Sequence, residues 1–390
     1  MSRSNAHKLR HYAAYFPLTG KTDLLYPKTV ASLVYVFYGI RYLSQMPLNK
    51  SLKNSNHKFI DRALKSACFL VSVLFYGNSR NGDWIYEKMN RPRSYVHEFM
   101  NILYYLIKKP AIHNVISLIV EPVFGCNLRC TYCWHSIIHY FEHKEKRPHL
   151  MTMDLFKKIV DDAPASVESI AFALIGEPLL HPEIHTMIRY ARSKGLRTVL
   201  YTNGTLLSEK NMVRIAESGL DVLTVSVEPD EINSLKHRGV SLERIREKVE
   251  SFVRIKPDSM EVKLSVVVHK DNAHTVPFMD NQYKNLIRSI KLSPMIRYNG
   301  NRLRGNCIEP WRGSLSILTN GDVSPCCVSA GYRSIPVGNI TKDSLVDIIH
   351  GPVFKNLLRD FMIGKRPEVC HRCRSFQGKH IPLRVPSLRK

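Results

Sequence analysis

The sequence predicts an α/β fold: a partial (β/α)6 barrel set between a mostly helical N-terminal region and a small, cysteine-rich C-terminal domain. Three observations carry that expectation. Short runs rich in Val, Ile and Leu alternate with helical stretches between about residues 115 and 295, the pattern of a parallel sheet with helices outside. Before residue 113 the apolar residues recur at helical spacing. From about 305 to 375 the chain is rich in Cys, Gly and Pro and has few long periodic runs. The expected plan is therefore residues 1–113, 114–300 and 301–375, with a basic tail over 376–390.

The first region carries helical patterns at 61–76 and 94–108, broken by Gly77, Gly82 and Pro92, and leaves through Lys108-Lys109-Pro110. Residues 1–110 hold 17 Lys and Arg against 5 Asp and Glu, and 11 of the 18 tyrosines. They supply half of a formal net charge of +24. A basic, aromatic segment suits an anionic partner such as RNA or a membrane headgroup, and equally a plain solvated helical face. The apolar stretches at 29–40 and 67–76 fall short of the roughly 20 residues of a membrane span. Met1–Arg10 is polar and basic with no apolar run behind it, unlike a signal peptide. Cytoplasmic localisation is expected, with peripheral membrane contact as the variant.

In the middle region the strand-like runs are 117–120, 169–174, 198–201, 222–227 and 262–268. The helical stretches between them are 153–161, 181–194, 208–218, 242–254 and 275–287. Ser208 and Ser241 are expected helix N-caps, and Gly195 and Gly219 expected stops. In the last region only 344–349 and 353–361 read as short helices, so a metal would help hold it together.

Nine cysteines are present, arranged unlike the disulfide framework of a short secreted domain. Cys68 stands alone in an apolar helical pattern and reads as a core thiol. Cys126, Cys130 and Cys133 have C-x3-C-x2-C spacing directly after a predicted strand, on the face where barrel enzymes place their active sites. Three thiolates on one loop can hold three irons of a cubane and leave the fourth iron without a protein ligand. A zinc site, normally closed by four Cys or His ligands, is the alternative, with His135 and His139 nearby. A second group has the order Cys307-x18-Cys326-x43-Cys370-x2-Cys373. It reads as an iron–sulfur cluster or as a four-cysteine zinc site. Cys327, next to Cys326, reads as a spare or buried thiol.

The first motif resembles the signature of the radical S-adenosylmethionine (SAM) superfamily, and further segments resemble that family's in the expected order. Gly176-Glu177-Pro178 follows the second strand as the family's GEP segment, which the resemblance places at the amino group of the methionine moiety. Leu179-Leu180-His181-Pro182-Glu183 continues the likeness. Tyr201-Thr202-Asn203-Gly204 ends the third strand as TNG does. Ser226-Val227-Glu228 ends the fourth, where the family has hydroxyl and acidic residues near the ribose. Tyr132 stands where relatives have an aromatic beside the adenine. Two departures are visible: Ile175 precedes Gly176 where many relatives have another glycine, and Glu228 replaces the commoner Asp. The C-terminal cysteines resemble the SPASM/twitch extension, closer to the shorter twitch type with one auxiliary 4Fe–4S cluster because no cysteine follows Cys373.

The resemblance implies a SAM-binding 4Fe–4S cluster, SAM itself and a second, auxiliary 4Fe–4S cluster. It implies reductive cleavage of SAM to a 5′-deoxyadenosyl radical that abstracts hydrogen from a peptide or small polar substrate, in oxidation or cross-linking, with the auxiliary cluster as electron acceptor. A one-electron reductant such as flavodoxin or ferredoxin is the implied partner. No separate catalytic side chain stands out; His135 and Arg312 are only near the cysteines in sequence. The competing reading from another class is a zinc-stabilised nucleic-acid-binding module without catalysis. A plain iron–sulfur electron carrier would leave the three-cysteine spacing unexplained.

Overall fold

A computed structural model describes residues 110–133, 149–279, 289–294 and 307–373, apart from positions 113, 308 and 372, together with Asn101, Tyr104, Ser136 and Tyr283. The chain forms two compact units, Met1–Pro92 and Arg93–Lys390, and all described residues belong to the second. The expected N-terminal helix at 61–76 and nearly all of that at 94–108, Cys68, His135, His139 and the 376–390 tail lie outside the described residues.

Strand β1 (Ser117–Val120) opens the barrel. A two-residue ladder, β2 (Val123–Phe124) with β3 (His149–Leu150), follows it. Then strand and helix alternate: α1 (Met153–Asp161), β4 (Ser169–Phe172), α2 (Ile184–Ser193), β5 (Arg197–Thr202), α3 (Glu209–Ala216) and β6 (Val222–Val227). After them come α4 (Glu231–Arg238), α5 (Leu242–Ile255), β7 (Glu261–Val268) and β8 (Ser289–Pro294). β1, β4, β5, β6, β7 and β8 pair in that order, all parallel, as the (β/α)6 expectation requires.

Alternation along the strands sets the core. Leu118, Val120, Ile170, Phe172, Leu200, Leu223, Leu264 and Val266 are buried with Phe156, Ile159, Met187, Ile188, Ile215, Val249 and Phe252 of the helices in one cluster. Each such side chain contributes about 1.5–3 kcal/mol relative to exposure. The intervening positions Ile119, Ala171, Val199, Tyr201, Ser226 and Ser265 are only half-buried and face the other side of the sheet. The helices begin on side-chain caps: Thr152 accepts from Leu155 N (3.2 Å), Ser208 from Asn211 N (3.3 Å) and Ser241 from Arg244 N (3.4 Å). Gly195 and Gly219 follow α2 and α3 with φ of +81° and +78°, the left-handed stops the sequence suggests.

Four features depart from expectation. The predicted helix at 275–287 opens as a 3-10 turn, Val276–Phe278, and Met279 and Tyr283 after it are helical. Helix α2 starts at Ile184 rather than His181; Pro178–Leu180 forms its own 3-10 turn and His181 caps it. Helix α4 and strand β8 have no counterpart in the sequence reading. Beyond residue 307 three strands appear: β9 (Ser314–Ile317), β10 (Asp322–Ser324) and β11 (Gly338–Asn339). β9 pairs parallel to β1, and β10 and β11 add antiparallel strands, so the sheet counts nine strands among the described residues. Helices α6 (Cys327–Gly331), α7 (Leu345–His350), α8 (Pro352–Met362) and α9 (Glu368–His371) complete this part. Glu121, fully buried at the end of β1, ties it to the barrel: its Oε2 accepts from Arg333 Nη2 (2.7 Å) and from Thr319 N (3.3 Å).

Candidate metal and cofactor site

Parallel register brings the motifs to one edge. Val120 aligns with Phe172, and Phe172 with Leu200; Thr202 aligns with Val225 and Val227 with Val266. The segments that follow these strands, 126–133, 176–178, 203–204 and 226–228, therefore gather at the C-terminal ends of the strands.

The cysteine loop is held by polar contacts on every side. Cys133 N donates to Cys130 O (3.1 Å) and Thr131 N to His237 O (2.8 Å). Arg129 folds back to donate to Cys126 O (2.6 Å) and Leu128 O (3.0 Å). Asn203 Nδ2 donates to Asn127 Oδ1 (2.9 Å) and lies 3.7 Å from Cys126 Sγ; Leu128 N lies 3.4 Å from the same sulfur. The TNG segment thus supports the loop directly. All three cysteines are of intermediate exposure. Burial pushes the Cys126 and Cys130 thiols up, and the Arg238 guanidinium partly offsets this at Cys130.

Gly176 packs against the loop so tightly that a Cβ there would collide with Val123 O and lie 2.8 Å from Gly125 O. Next to it, Glu177 is 2 % exposed. Its carboxylate accepts from Leu179 N (3.1 Å), Thr202 Oγ1 (2.7 Å) and Asn203 N (2.7 Å), while its own N donates to Gly125 O (2.8 Å). Burial raises its pKa against those hydrogen bonds. Three of the carboxylate's acceptor directions are thus committed to the fold. Pro178 is buried in the turn that follows.

Glu228, at the end of β6, is fully buried. It accepts from Tyr132 Oη and from Asn272 Nδ2 (2.7 Å), which couples the aromatic of the cysteine loop to the SVE segment. Burial and the Glu228 charge push the Tyr132 phenol up. The Tyr132 ring lies 5.5 Å from that of His269 and 6.0 Å from that of His237. Ser226 is half-buried, and its carbonyl accepts from Arg238.

Arg238, Asn272 and His269 are site residues that the sequence reading missed. Arg238 closes α4, whose pattern is inverted: Asn233, Ser234 and Arg238 are buried while Ile232 and Leu235 are 78 % and 54 % exposed. A search for an apolar face overlooks such a helix. Its flanks were legible, because Asp230 caps it by accepting from Asn233 N (2.8 Å) and Gly239 ends it.

The second cysteine group also converges. Cys307, Cys326, Cys370 and Cys373 line one pocket with Pro310, Phe361 and Val369. Cys326 caps α6, and its sulfur lies 3.4 Å from both Ser329 N and Ser329 Oγ. Burial pushes the Cys326 thiol up and the Cys370 thiol up to about 12. Cys327 lines the same pocket but is exposed, not buried. Being next in sequence to Cys326, it turns outward as the first residue of α6.

Both groups suit iron–sulfur clusters by their chemistry. The donors are thiols alone, N–H groups point at the Cys126 and Cys326 sulfurs as they do around bound clusters, and burial favours the protonated thiol at Cys126, Cys130, Cys307, Cys326 and Cys370 until a metal displaces the proton. Among the described residues no helix is long and apolar enough to cross a membrane.

Comparison with known proteins agrees with this geometry. Residues 120–279 match the family model of the Radical SAM superfamily, and residues 307–374 that of an iron–sulfur cluster-binding domain, SPASM. A radical SAM domain implies SAM and a 4Fe–4S cluster, and a SPASM domain implies auxiliary iron–sulfur clusters. The chain is similar to the tungsten-containing aldehyde ferredoxin oxidoreductase cofactor-modifying protein of Pyrococcus furiosus: 32 % identical, over 43 % of this chain and 48 % of that protein. It is also similar to an AdoMet-dependent heme synthase of Nitratidesulfovibrio vulgaris: 27 % identical, over 40 % of this chain and 41 % of that one. The matched region thus spans somewhat under half the length of these curated relatives. Among solved structures, Streptococcus suis SuiB bound to S-adenosylmethionine shares the fold: TM-score 0.53 and 16 % identity, over 80 % of this chain and 84 % of that one. SuiB bound to its precursor peptide SuiA gives a TM-score of 0.52 at 16 % identity, over 74 % of each chain.

Proposed function

This chain belongs to the radical SAM superfamily, with a SPASM domain behind its barrel, and from that premise we propose that it oxidises or cross-links a peptide or small polar substrate by hydrogen abstraction. The observation that carries the reading is one arrangement: three cysteines on a single loop, with the GEP, TNG and SVE segments at successive strand ends around it. Cys126, Cys130 and Cys133 hold the first 4Fe–4S cluster. When bound, that cluster supplies the electron that cleaves SAM to methionine and a 5′-deoxyadenosyl radical.

The protein's own part is positioning and shielding. Asn203 and the Leu128 amide stabilise the Cys126 thiolate by N–H···S contacts. Arg238 places its positive charge beside Cys130. Gly176 lets the GEP turn approach the cysteine loop, where that segment would hold the ammonium of SAM. Glu177 holds that turn to the TNG segment, because its carboxylate is bonded to Thr202 and Asn203. Tyr132, which Glu228 fixes through its hydroxyl, would line the adenine, and Ser226 would meet the ribose.

Cys307, Cys326, Cys370 and Cys373 would hold the auxiliary cluster, which when bound would supply an acceptor for the substrate's second electron in a two-electron oxidation. The names of the curated relatives, a cofactor-modifying protein and a heme synthase, support a modifying enzyme and add a cofactor or heme to the candidate substrates. Flavodoxin or ferredoxin serves as reductant. The basic N-terminal region recruits an anionic partner, RNA or a membrane headgroup. A zinc-stabilised nucleic-acid-binding module would leave the GEP, TNG and SVE segments without a task.

The test is replacement of Cys126, Cys130 and Cys133 with alanine. SAM cleavage should vanish while the auxiliary cluster remains; cleavage that survives removes the proposal.

A further inference from the structure

Beside the cysteine loop lies a second set of ligand-type side chains that the mechanism above does not use. His237 lies in the last turn of α4, and His269 and Asp271 follow the end of β7. The two imidazoles meet edge to face, with centroids 4.6 Å apart and planes at 73°. His269 is 5 % exposed, and its Nε2 makes no hydrogen bond. The nearest acceptor, Glu228 Oε2, is 3.4 Å away and already takes Asn272 Nδ2 at 2.7 Å. His237 Nε2 is also buried without a hydrogen bond, 3.3 Å from Asp271 Oδ2. The donor atoms of the three residues lie within 4.8 Å of one another.

Buried polar atoms nearly always have partners. Two imidazoles in contact, each with a buried Nε2 that makes no hydrogen bond, and a carboxylate within reach of both call for a common ligand. We propose that His237, His269 and Asp271 form a site for a single borderline divalent cation, Zn2+ or Fe2+, separate from both cysteine groups.

Bonds of about 2.1 Å in a tetrahedral centre set donor atoms roughly 3.4 Å apart. The His237–Asp271 separation of 3.3 Å is close to that value, and the His269 donor lies within 4.8 Å of both. Two imidazoles and one carboxylate favour zinc or ferrous iron over magnesium or calcium. An orienting partner is present as well: Thr131 Oγ1 is 2.8 Å from His237 Nδ1. With Nδ1–H donating to Thr131, Nε2 keeps its lone pair for the cation, the arrangement usual behind metal-bound histidine. Lys236 Nζ, 3.0 Å from Asp271 Oδ2, competes for the carboxylate, but its side chain is 58 % exposed and such a pair is worth little. Asp271, with 27 % side-chain exposure, gives the cation its way in. Because His237 also accepts from Thr131 N, a bound cation would clamp the end of β7 to the loop that carries Tyr132. This proposal goes beyond the radical SAM reading and does not rest on it.

The experiment is a Co2+ titration, with Zn2+ as competitor, of the anaerobically prepared holoenzyme with both clusters in place. One equivalent should bind, with the d–d bands of a nitrogen–oxygen site and no thiolate-to-cobalt charge transfer. His237→Gln, His269→Gln and Asp271→Asn should each weaken binding at least about 10-fold, and Thr131→Val about 10- to 100-fold. Asp271→Asn sits on the surface and serves where a histidine variant fails to fold. The absence of cobalt binding overturns the proposal, as does full binding in Asp271→Asn. Thiolate charge transfer in place of the nitrogen–oxygen bands also overturns it, and separately signals that the cysteine groups lack their clusters.

Discussion

Replacing Gly176 with alanine puts a methyl group into the backbone of the cysteine loop. The added carbon would overlap Val123 O and lie 2.8 Å from both Gly125 O and the Val123 carbonyl carbon, where carbon–oxygen contacts normally begin near about 3.3 Å. Neither side can give easily. Val123 is paired with Leu150 across the β2–β3 ladder, and Gly125 O is bonded to Glu177 N at 2.8 Å. The loop and the GEP turn must separate by about an ångström. Overpacking of this kind costs about 1–3 kcal/mol, and rigid backbone on the receiving side puts Gly176→Ala at the upper end. The functional loss is larger than the stability loss, because a displacement near 1 Å can lower a rate about 100-fold. The assay is urea unfolding of the anaerobic holoprotein together with iron content and the rate of 5′-deoxyadenosine release. Gly195→Ala is the control. Its φ is +81° with nothing within 4 Å of the new methyl, so it should cost about 1–2 kcal/mol of backbone strain and leave the SAM cleavage rate alone. A Gly176→Ala protein that keeps both its unfolding midpoint and its cleavage rate would refute this reasoning.

Other substitutions probe separate parts of the structure. Asn203→Ala removes an N–H contact to Cys126 and the bond to Asn127, and should shift the first cluster's potential to more negative values, read by spectroelectrochemistry; an unchanged potential counts against the contact. Arg333→Ala leaves the buried Glu121 carboxylate without its cation. It should cost about 3 kcal/mol, the lower end for a broken buried pair, because Arg333 keeps 21 % side-chain exposure; calorimetry or urea unfolding measures it. Burial raises the Glu121 pKa above its ordinary value, ahead of the opposing pull of Arg333. The folded state therefore holds this proton more tightly than the unfolded one. The group's contribution is complete below the unfolded carboxylate pKa and is lost as pH rises through the folded value. Glu121→Gln should flatten that loss in a stability–pH profile, whatever it does to absolute stability.

The parts of the fold that a reader of the sequence could see share one property: their signals are local. Helix α1 and strand β6 fall where the sequence places them, because Met153–Asp161 has an apolar stripe behind the Thr152 cap and Val222–Val227 is an unbroken run of strand-forming residues. Helix α4 was invisible because it buries Asn233 and Arg238 and exposes Ile232 and Leu235. Strands β9, β10 and β11 are two to four residues long, too short for a period to show. The motif residues could be picked out, but what they bond to could not. Glu177 holds the TNG segment and Glu228 holds Tyr132, which are contacts between residues 26 and 96 positions apart. The Glu121–Arg333 pair spans 212 positions, and no local pattern announces it. His237 and His269 likewise look like unrelated histidines until the ends of α4 and β7 meet.

The most direct measurement is anaerobic reconstitution of the wild-type protein, followed by iron and sulfide counts and a reductant-dependent assay for 5′-deoxyadenosine. Two 4Fe–4S clusters require about eight irons per chain, with deoxyadenosine formed from SAM. Zinc in the cysteine groups and no deoxyadenosine would contradict the assignment and return the protein to the class of metal-stabilised binding modules.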